Sequence, residues 1–260
     1  MKPRPKRAPI AKVRVTLDRV LSKLGIASRE TTREWIRKGR LKVNGRVVRN
    51  PDQWVEPVLD TVHLDGKRIR AEKKIYLALN KPTGVVTSYG DARGRKTVYD
   101  CLQDFDRWVF PVGRLDLDTS GLLILTNDSE FAEALLQPGS KVPKTYYAKV
   151  NGSLNADAYF RIAFGLDIGR GERSGAAHVR ELRTTGRFTW IELIITEGKN
   201  RQVRRMLEAV GHRVAKLVRT KIGDLELGDL AVGEHRELDD VDRRKLLHGG
   251  LRIRRSRESL

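Results

Sequence analysis

One short segment of the chain concentrates residues that could do chemistry. Residues 113–121, with the sequence GRLDLDTSG, place Arg114, Asp116 and Asp118 directly before an apolar stretch at 122–125. An ionised carboxylate can act as a nucleophile or as a base without any cofactor. A structural loop held by an internal Arg–Asp pair would have the same spacing, so the segment by itself leaves catalysis and structure equally open.

The composition of the 260-residue chain narrows the class of partner. It has 52 Lys and Arg against 33 Asp and Glu, a formal net charge of +19, and 39% of its residues are hydrophobic. This hydrophobic fraction is enough for folded domains, and the excess of positive charge attracts polyanions. Nucleic acid is the leading partner, because the basic residues are spread along the chain rather than set beside an apolar membrane anchor.

Cysteine and histidine usage excludes several kinds of site. Cys101 is the only cysteine, which excludes an internal disulfide and argues against a thiolate zinc site. The five histidines lack the spacing and neighbouring carboxylates of a metal site, and no phosphate-binding loop motif is present. Neither a secretory signal nor an apolar run of about 18 residues occurs. We therefore expect a cytoplasmic protein with no metal, no small-molecule cofactor and no membrane contact.

Two helices and a hairpin are predicted near the N-terminus. Residues 17–24 repeat apolar side chains at helical spacing before Gly25, and Ser28 can cap a second helix. Asn44 and Gly45 are typical of a two-residue hairpin turn. Through SKLGIASRE and IRKGRLKVNG, this stretch resembles the alpha-L RNA-binding motif of a small-subunit ribosomal protein.

The resemblance implies that this module, residues 14–65, binds RNA through basic side chains around the joint between the second helix and the hairpin. The side chains expected to do so are Arg29, Arg33, Lys38, Arg40 and Lys42. A basic, solvated helical face without a specific partner is the alternative interpretation of the same charges.

The rest of the chain predicts a second, larger domain of the α+β class, with a largely antiparallel sheet flanked by helices. Strands are expected at residues 75–79, 122–126, 146–150, 177–182 and 190–196, and helices at 129–137 and after Asn200. The expected organisation is a flexible basic arm (1–13), the RNA-binding module (14–65), a polar linker (66–74), the catalytic domain (75–240), and a C-terminal helix and basic tail (241–260).

Four segments of the chain resemble pseudouridine synthases that modify ribosomal RNA. They are LNKPTGVV, PVGRLDLDTSGLLILTND, KTYYAKV and EGKNRQVRRMLEAVGH, and the resemblance runs across nearly all of the chain after the N-terminal arm. It is strongest to the branch that acts on 23S RNA. It implies that a target uridine leaves the RNA stack, has its glycosidic bond broken, and is rejoined to the ribose through C5.

The resemblance also assigns roles to individual residues. Asp116 matches the catalytic aspartate, Tyr146 the active-site tyrosine, and Arg204 the basic residue paired with that aspartate. Asp118 is expected to be structural. Arg114 matches a residue that fills the gap left by the flipped base, and a salt bridge between Arg114 and Asp118 is the alternative.

Further basic residues near the fourth segment are expected to contact RNA phosphates, which position the RNA without reading its sequence. They are Lys199, Arg201 and Arg205, followed by Arg213, Lys216 and Arg219. Helical spacing places Arg204 beside the apolar stripe and turns Arg201 and Arg205 outward. Lys199 stands where the family more often has Arg, so it keeps the charge and loses the bidentate fork.

The remaining expectations concern the first segment and the partner. Lys81 and Pro82 are expected to shape the floor of the site, with no catalytic part. The expected partner is ribosomal RNA or a pre-ribosomal particle, and a monomer is expected because nothing in the sequence demands a dimer. Two alternatives remain open: a synthase for 16S RNA, which shares the signature residues, and a non-catalytic ribosome-assembly factor.

Overall fold

The computed structural model describes residues 14–57 and 59–255, and the chain divides into two compact units at Lys74 and Ile75. The expected basic arm at residues 1–13 and the last five residues of the expected tail lie outside the described residues. Each unit has its own hydrophobic core. No helix in the described part of the chain is long and apolar enough to cross a membrane.

The first unit consists of two short helices and two small sheets. Its elements are β1 (Val15–Thr16), α1 (Leu17–Lys23), α2 (Arg29–Arg37), β2 (Leu41–Val43), β3 (Arg46–Val47), β4 (Trp54–Val55), β5 (Val62–Leu64) and β6 (Lys67–Arg68). Strands β3, β2, β5 and β6 form one antiparallel sheet in that order, and β1 pairs with β4. Leu17, Leu21, Ile36 and Leu41 are fully buried in the shared core.

Local sequence explains how these elements begin and end. The hydroxyl group of Ser28 accepts a hydrogen bond of 2.9 Å from the amide of Thr31 and so caps α2, as predicted. Gly25 follows α1 with a φ of +76°, a conformation that costs glycine little. Asn44 and Gly45 both have positive φ angles and form the predicted hairpin turn.

The prediction that residues 66–74 form a linker was wrong for its first part. Lys67 and Arg68 form β6 and pair with β5 across a turn at Asp65 and Gly66. Ile69 then packs against the core of the first unit. The charged composition hid this short edge strand, because both of its side chains are exposed and carry no apolar pattern.

The second unit is built around one large sheet. Its elements are β7 (Tyr76–Lys81), β8 (Phe110–Pro111), β9 (Thr119–Thr126), α3 (Ser129–Leu136), β10 (Lys144–Asn151), α4 (Ala156–Phe164), β11 (His178–Thr185), β12 (Phe188–Ile195), α5 (Gln202–Ala209), β13 (Val214–Ile222), β14 (Leu225–Glu226), β15 (His235–Glu237) and α6 (Asp240–Arg255). The strand order is β11-β12-β10-β13-β9-β7-β15, with β8 paired to β9 and β14 to β13. All pairings are antiparallel except that of β13 with β9. The α+β class is confirmed.

The predicted strands and helices of this unit are all present, but several elements were missed, among them β13, α4 and the short strands β8, β14 and β15. Strand β13 lies at the centre of the sheet, and its lysines and arginines obscured the alternation of apolar and polar residues. Helix α4 was also missed, although Asn155 caps it with a hydrogen bond of 2.8 Å from the amide of Ala158.

The two faces of the sheet are covered differently. On the face that carries Tyr146, strand residues pack against α4 and α5 through Ile162 and Met206. On the opposite face, β7 and β9 pack against α3 and α6. Among the described residues of the second unit, no helix covers the other half of that opposite face. We call this half the open face and define it by Tyr147, Lys149, Arg183, Phe188, Trp190 and Lys216.

Candidate active site

Asp116 lies in the loop between β8 and β9, and main-chain contacts hold this loop from several sides. The hydroxyl group of Thr87 donates to the carbonyl of Leu115 at 2.9 Å, and the amide of Gly84 donates to the carbonyl of Leu117 at 2.8 Å. The amide of Thr119 donates to the carbonyl of Asp116 at 3.1 Å. Asp116 itself is half-buried, so the loop presents its carboxylate at the surface of the unit rather than in the packed core.

Lys81 is the main internal support of this loop. Its side chain is fully buried, and the ammonium group donates to the carbonyls of Pro82, Asp116 and Thr119 at 2.8, 3.2 and 2.9 Å. Burial lowers the pKa of Lys81 to about 8, and the negative charges of Asp116 and Asp118 oppose that lowering. Sequence reasoning did not foresee this contact with the carbonyl group of Asp116, although a lysine closing an apolar strand was a signal for it.

Asp118 is held by two arginines of the α5 region. The guanidinium group of Arg201 donates to both carboxylate oxygens of Asp118 at 3.0 to 3.2 Å. Nε of Arg204 lies 3.2 Å from the same carboxylate, and its Nη2 donates to the carbonyl of Asp118 at 2.8 Å. Burial acts to raise the pKa of Asp118, but the hydrogen bonds from Arg201 and the charge of Arg204 outweigh it and lower the pKa.

The partner expected for Arg204 was therefore wrong. Within the described residues its ion pair is with Asp118, and no ion pair or hydrogen bond to the carboxylate of Asp116 is found. The charge of Asp116 still acts at longer range, because it opposes the lowering of the Arg204 pKa that burial causes. One carboxylate of the loop is thus saturated by arginines, and the other is left available.

Tyr146 lies in a row of residues that crosses four strands. Lys81 is opposite Gly121, Gly121 is opposite Arg219, and Arg219 is opposite Tyr146. Gly121 has a φ of +105°, and a side chain there would come within 2.2 Å of the carbonyl oxygen of Arg219. Only glycine fits this close approach of β9 and β13. The ring of Tyr146 is buried in the same hydrophobic cluster as Leu115, the neighbour of Asp116.

Arg219 was expected to contact phosphate, and the structure corrects this. Its side chain is buried, and Nε donates to the carbonyl of Leu122 at 2.8 Å. Lys144, close by, donates to the carbonyl of Val142 at 3.1 Å. Burial, with a further contribution from the charge of Arg219, lowers the pKa of Lys144 to about 8.

Arg205 was expected to face outward, and this was also wrong. Its guanidinium group is buried and donates to the carbonyls of Ile168 and Gly169 at 2.8 and 2.6 Å, and it pairs with Glu172. Spacing along α5 could not foresee this, because the segment that covers this side of the helix comes from 33 to 37 residues earlier in the chain. Arg205 therefore stabilises the fold through these contacts and is not available to bind RNA phosphates.

Two other predicted RNA contacts have different surroundings. The side chain of Lys199 donates to the carbonyl of Arg173 and lies 3.5 Å from Glu197. Arg114 is exposed and has no hydrogen bond or ion pair within the described residues. The alternative pairing of Arg114 with Asp118 is not found, since Arg201 and Arg204 occupy that carboxylate. Tyr147 projects to the opposite face from Tyr146, as predicted, and lines a groove there.

The first unit presents its basic side chains at its surface. Arg29 and Arg33 both donate to the fully buried carboxylate of Asp18, at 2.9 and 3.1 Å. Burial acts to raise the pKa of Asp18, but hydrogen bonds, first among them one from Thr16, lower it overall. The remaining predicted contacts are Lys38, paired with Glu34, Arg40, paired with Asp65 and stacked on Trp35, and Lys42, which is exposed.

Comparisons with known proteins agree with this organisation. The family model for RNA pseudouridylate synthase matches residues 75–209, and that for the S4 domain matches residues 15–57. An uncharacterized RNA pseudouridine synthase of Aquifex aeolicus is 41% identical over 86% of this chain and 90% of its own length. Ribosomal large subunit pseudouridine synthase B of Bacillus subtilis is 39% identical over 88% of this chain and 94% of its own length.

A solved structure gives the same result. The crystal structure of a pseudouridylate synthase superposes with a TM-score of 0.63 and 28% identity, covering 89% of this chain and 99% of that chain. The matched region of the family model contains Asp116, Tyr146 and Arg204. The chain belongs to the RNA pseudouridylate synthase family, and it carries an S4 domain in its first unit.

Proposed function

We propose that this enzyme converts one uridine of large-subunit ribosomal RNA to pseudouridine, with Asp116 as its catalytic carboxylate. The observation that carries the assignment is the difference between the two aspartates of one loop. Asp118 is saturated by Arg201 and Arg204, whereas the carboxylate of Asp116 has no partner within the described residues. The large-subunit target is supported by the relative from Bacillus subtilis, which is named as a pseudouridine synthase of the ribosomal large subunit.

The reaction needs a negatively charged group beside a base that has left the RNA stack. The bond between N1 of uracil and C1′ of ribose breaks, the base rotates, and a bond forms between C5 and C1′. The hydrogen of C5 leaves as a proton and N1 gains one, so the product is an isomer of the substrate. In this proposal Asp116 serves as nucleophile or as base, and its attack on ribose, its addition to uracil and its removal of a ribose proton remain three separate routes.

The other residues of the site assist in distinct ways. Tyr146 stacks on the uracil ring, and Arg114, with its exposed and unpaired guanidinium group, takes the place that the flipped base leaves in the RNA. Lys81 holds the backbone of the loop in position through its hydrogen bond to the carbonyl of Asp116. Arg204 positions the loop through its ion pair with Asp118 and its hydrogen bond to the carbonyl of Asp118.

The RNA substrate is held in part by the S4 domain, through Arg29, Arg33, Lys38, Arg40 and Lys42. We further propose that the enzyme acts as a cytoplasmic monomer on ribosomal RNA or a pre-ribosomal particle. No cofactor is needed in this scheme, because the isomerisation involves no net oxidation, reduction or group donation.

Mapping of carbodiimide-resistant uridines tests this function. Ribosomal RNA from cells with and without the gene should differ at one uridine of the large subunit, and the purified enzyme should restore the modification. Asp116→Asn should bind RNA and form no pseudouridine, whereas Asp157→Asn, which changes an exposed carboxylate on α4, should keep full activity. If the two maps differ instead at a uridine of small-subunit RNA, the proposed target is wrong and the proposed chemistry still holds. Turnover by Asp116→Asn would remove the assignment of Asp116, and identical maps would favour a non-catalytic assembly factor.

A further inference from the structure

The open face of the sheet carries cations and aromatic rings in one continuous row. Lys216 of β13 is opposite Lys149 of β10, Lys149 is opposite Trp190 of β12, and Trp190 is opposite Arg183 of β11. Residues paired in this way project from the same side of a sheet. With neighbouring strands about 4.8 Å apart, the row is about 14 Å long.

A second ring, that of Phe188, extends this row toward the first residue of β12. The ammonium group of Lys149 lies 4.3 Å from the ring centre of Phe188, and the guanidinium group of Arg187 lies 5.2 Å from it. The guanidinium group of Arg183 lies 6.0 Å from the ring centre of Trp190. Both rings are half-buried, so each is fixed in the sheet and still reaches solvent.

The charge of this region is positive after its ion pairs are counted. Glu192 is occupied by Arg180 at 2.6 Å, and Asp224 lies beyond β13 at the far end of the same side of the sheet. On this side of the sheet, four cations have no ion pair within the described part of the chain: Lys149, Arg183, Arg187 and Lys216.

We propose that the open face binds a single-stranded segment of the RNA substrate, next to the structured region that holds the target uridine. Bases stack on Trp190 and Phe188, and the row of cations contacts phosphates. This pairing of a positively charged surface with fixed aromatic rings is how proteins hold single-stranded nucleic acids. A protein partner fits less well, because lysine is depleted from protein interfaces and this surface carries it in a row.

The inference deepens the proposed function, because it rests on RNA being the substrate. The surface lies on the opposite side of the sheet from Tyr146, so it adds affinity without entering the chemistry. Strand β11 is at the edge of the sheet. An RNA strand can therefore reach the open face around that edge, without passing through the covered half.

The test compares a minimal target hairpin with the same hairpin carrying a single-stranded extension of about ten nucleotides, within the usual range of single-strand sites. The variant is Lys149→Gln/Arg183→Gln/Arg187→Gln. Its matched control removes three exposed charges elsewhere in the second unit, Lys141→Gln/Arg161→Gln/Arg244→Gln. Affinity, its dependence on salt, and turnover at saturating RNA are measured for each.

The expected result is a loss of about tenfold in affinity for the extended RNA, with a salt dependence shallower by about 2 in log–log slope. Binding of the minimal hairpin and turnover at saturation should stay within twofold of wild type. Equal losses for the variant and its control, or no loss for either, would overturn the proposal. Failure of wild type to convert either RNA would count against the proposed function alone, because the binding comparison does not need turnover.

If the triple variant folds poorly, the proposal can still be tested on the wild-type protein by fluorescence and by crosslinking. The extension should quench the fluorescence of Trp190, seen as the difference between wild type and Trp190→Phe. Ultraviolet crosslinking to wild type should place the extension on Phe188 or Trp190 by mass spectrometry of the peptides. Unchanged fluorescence together with crosslinks confined to other strands would reject the open face as an RNA surface.

Discussion

The two units of the molecule use positive charge in different ways. In the first unit, the side chains of Lys38 and Arg40 are 61% and 40% exposed and pair with exposed carboxylates. In the second unit, Lys81, Arg204 and Arg205 are buried and donate to main-chain carbonyls. A net charge of +19 therefore predicts a polyanionic partner without showing which cations are free to meet it.

The physical cost of releasing a cation separates these two groups. An exposed ion pair contributes little, so its cation can exchange a carboxylate for a phosphate. A buried cation that satisfies carbonyl groups cannot leave without exposing unpaired acceptors. Substitutions of the first kind should change RNA binding and spare the fold, and substitutions of the second kind should damage the fold and the loop that it supports.

Lys81→Met is the strongest test of that distinction. It should lower the free energy of unfolding of the second unit by about 3 kcal/mol and remove most turnover, because the carbonyls of Pro82, Asp116 and Thr119 each lose a hydrogen bond from the buried ammonium group. Urea unfolding followed by Trp108 and Trp190 fluorescence, with Trp35 and Trp54 replaced by Phe, reports this unit.

The matched control for Lys81→Met is Lys245→Met, which removes an exposed lysine of the same unit. It should change the free energy of unfolding by less than about 0.5 kcal/mol. If the two variants behave alike, the buried lysine is not the support of the loop.

Asp118→Asn should cost about 2 kcal/mol of unfolding free energy. Arg204, which is 7% exposed, loses its charged partner, and the cost is smaller than for a fully buried pair because Asp118 is 46% exposed. The lowered pKa of Asp118 means that this stabilisation is present at neutral pH and disappears as the pH falls below the ordinary carboxyl range. Thermal unfolding at pH 7 and at acid pH measures both effects.

Asp116→Asn is the paired comparison within the same loop. It should leave the free energy of unfolding within about 0.5 kcal/mol of wild type, since that carboxylate has no partner to lose in the described residues, while abolishing turnover. Equal destabilisation by both substitutions would show that the two aspartates share one structural network.

Exposed cations of the first unit should affect binding alone. The variant Lys38→Gln/Arg40→Gln/Lys42→Gln should weaken RNA affinity about tenfold and make its salt dependence shallower by about 2, with an unchanged unfolding transition in the second unit. Filter binding over a range of salt concentrations measures the slope. An unaltered slope would mean that the S4 domain holds the RNA through other residues.

The same contrast explains what could be predicted from the sequence. Caps and turns are local, so α1, α2 and the hairpin at Asn44 and Gly45 were predicted correctly, and the GRLDLDTSG segment was found by its composition and its family resemblance. Support of that segment by Lys81 depends on contacts 35 and 38 residues apart in the chain. The burial of Arg205 likewise depends on a distant segment, and no helical periodicity encodes it.

Lys144 offers the finest test, because it is a half-buried cation in the second unit without an acidic partner among the described residues. It donates to one carbonyl and lies near the charge of Arg219. Keeping it charged therefore costs stability. Lys144→Met should raise the free energy of unfolding by about 1 kcal/mol at pH 7, as replacement of a poorly compensated buried charge does.

This gain should fade at alkaline pH. With a pKa of about 8 in the folded state and 10.5 as its ordinary value, Lys144 of wild type loses its proton on folding between those two values, so wild type becomes more stable there. Lys81 titrates in the same range but is present in both proteins and cancels in the difference. Lys144→Arg keeps its charge at these pH values, so it should lack the part of the rise in stability that wild type owes to residue 144. Parallel stability curves for wild type and Lys144→Met from pH 7 to pH 10 would show that the charge at this position is solvated, and would place Lys144 with the exposed cations of the first unit.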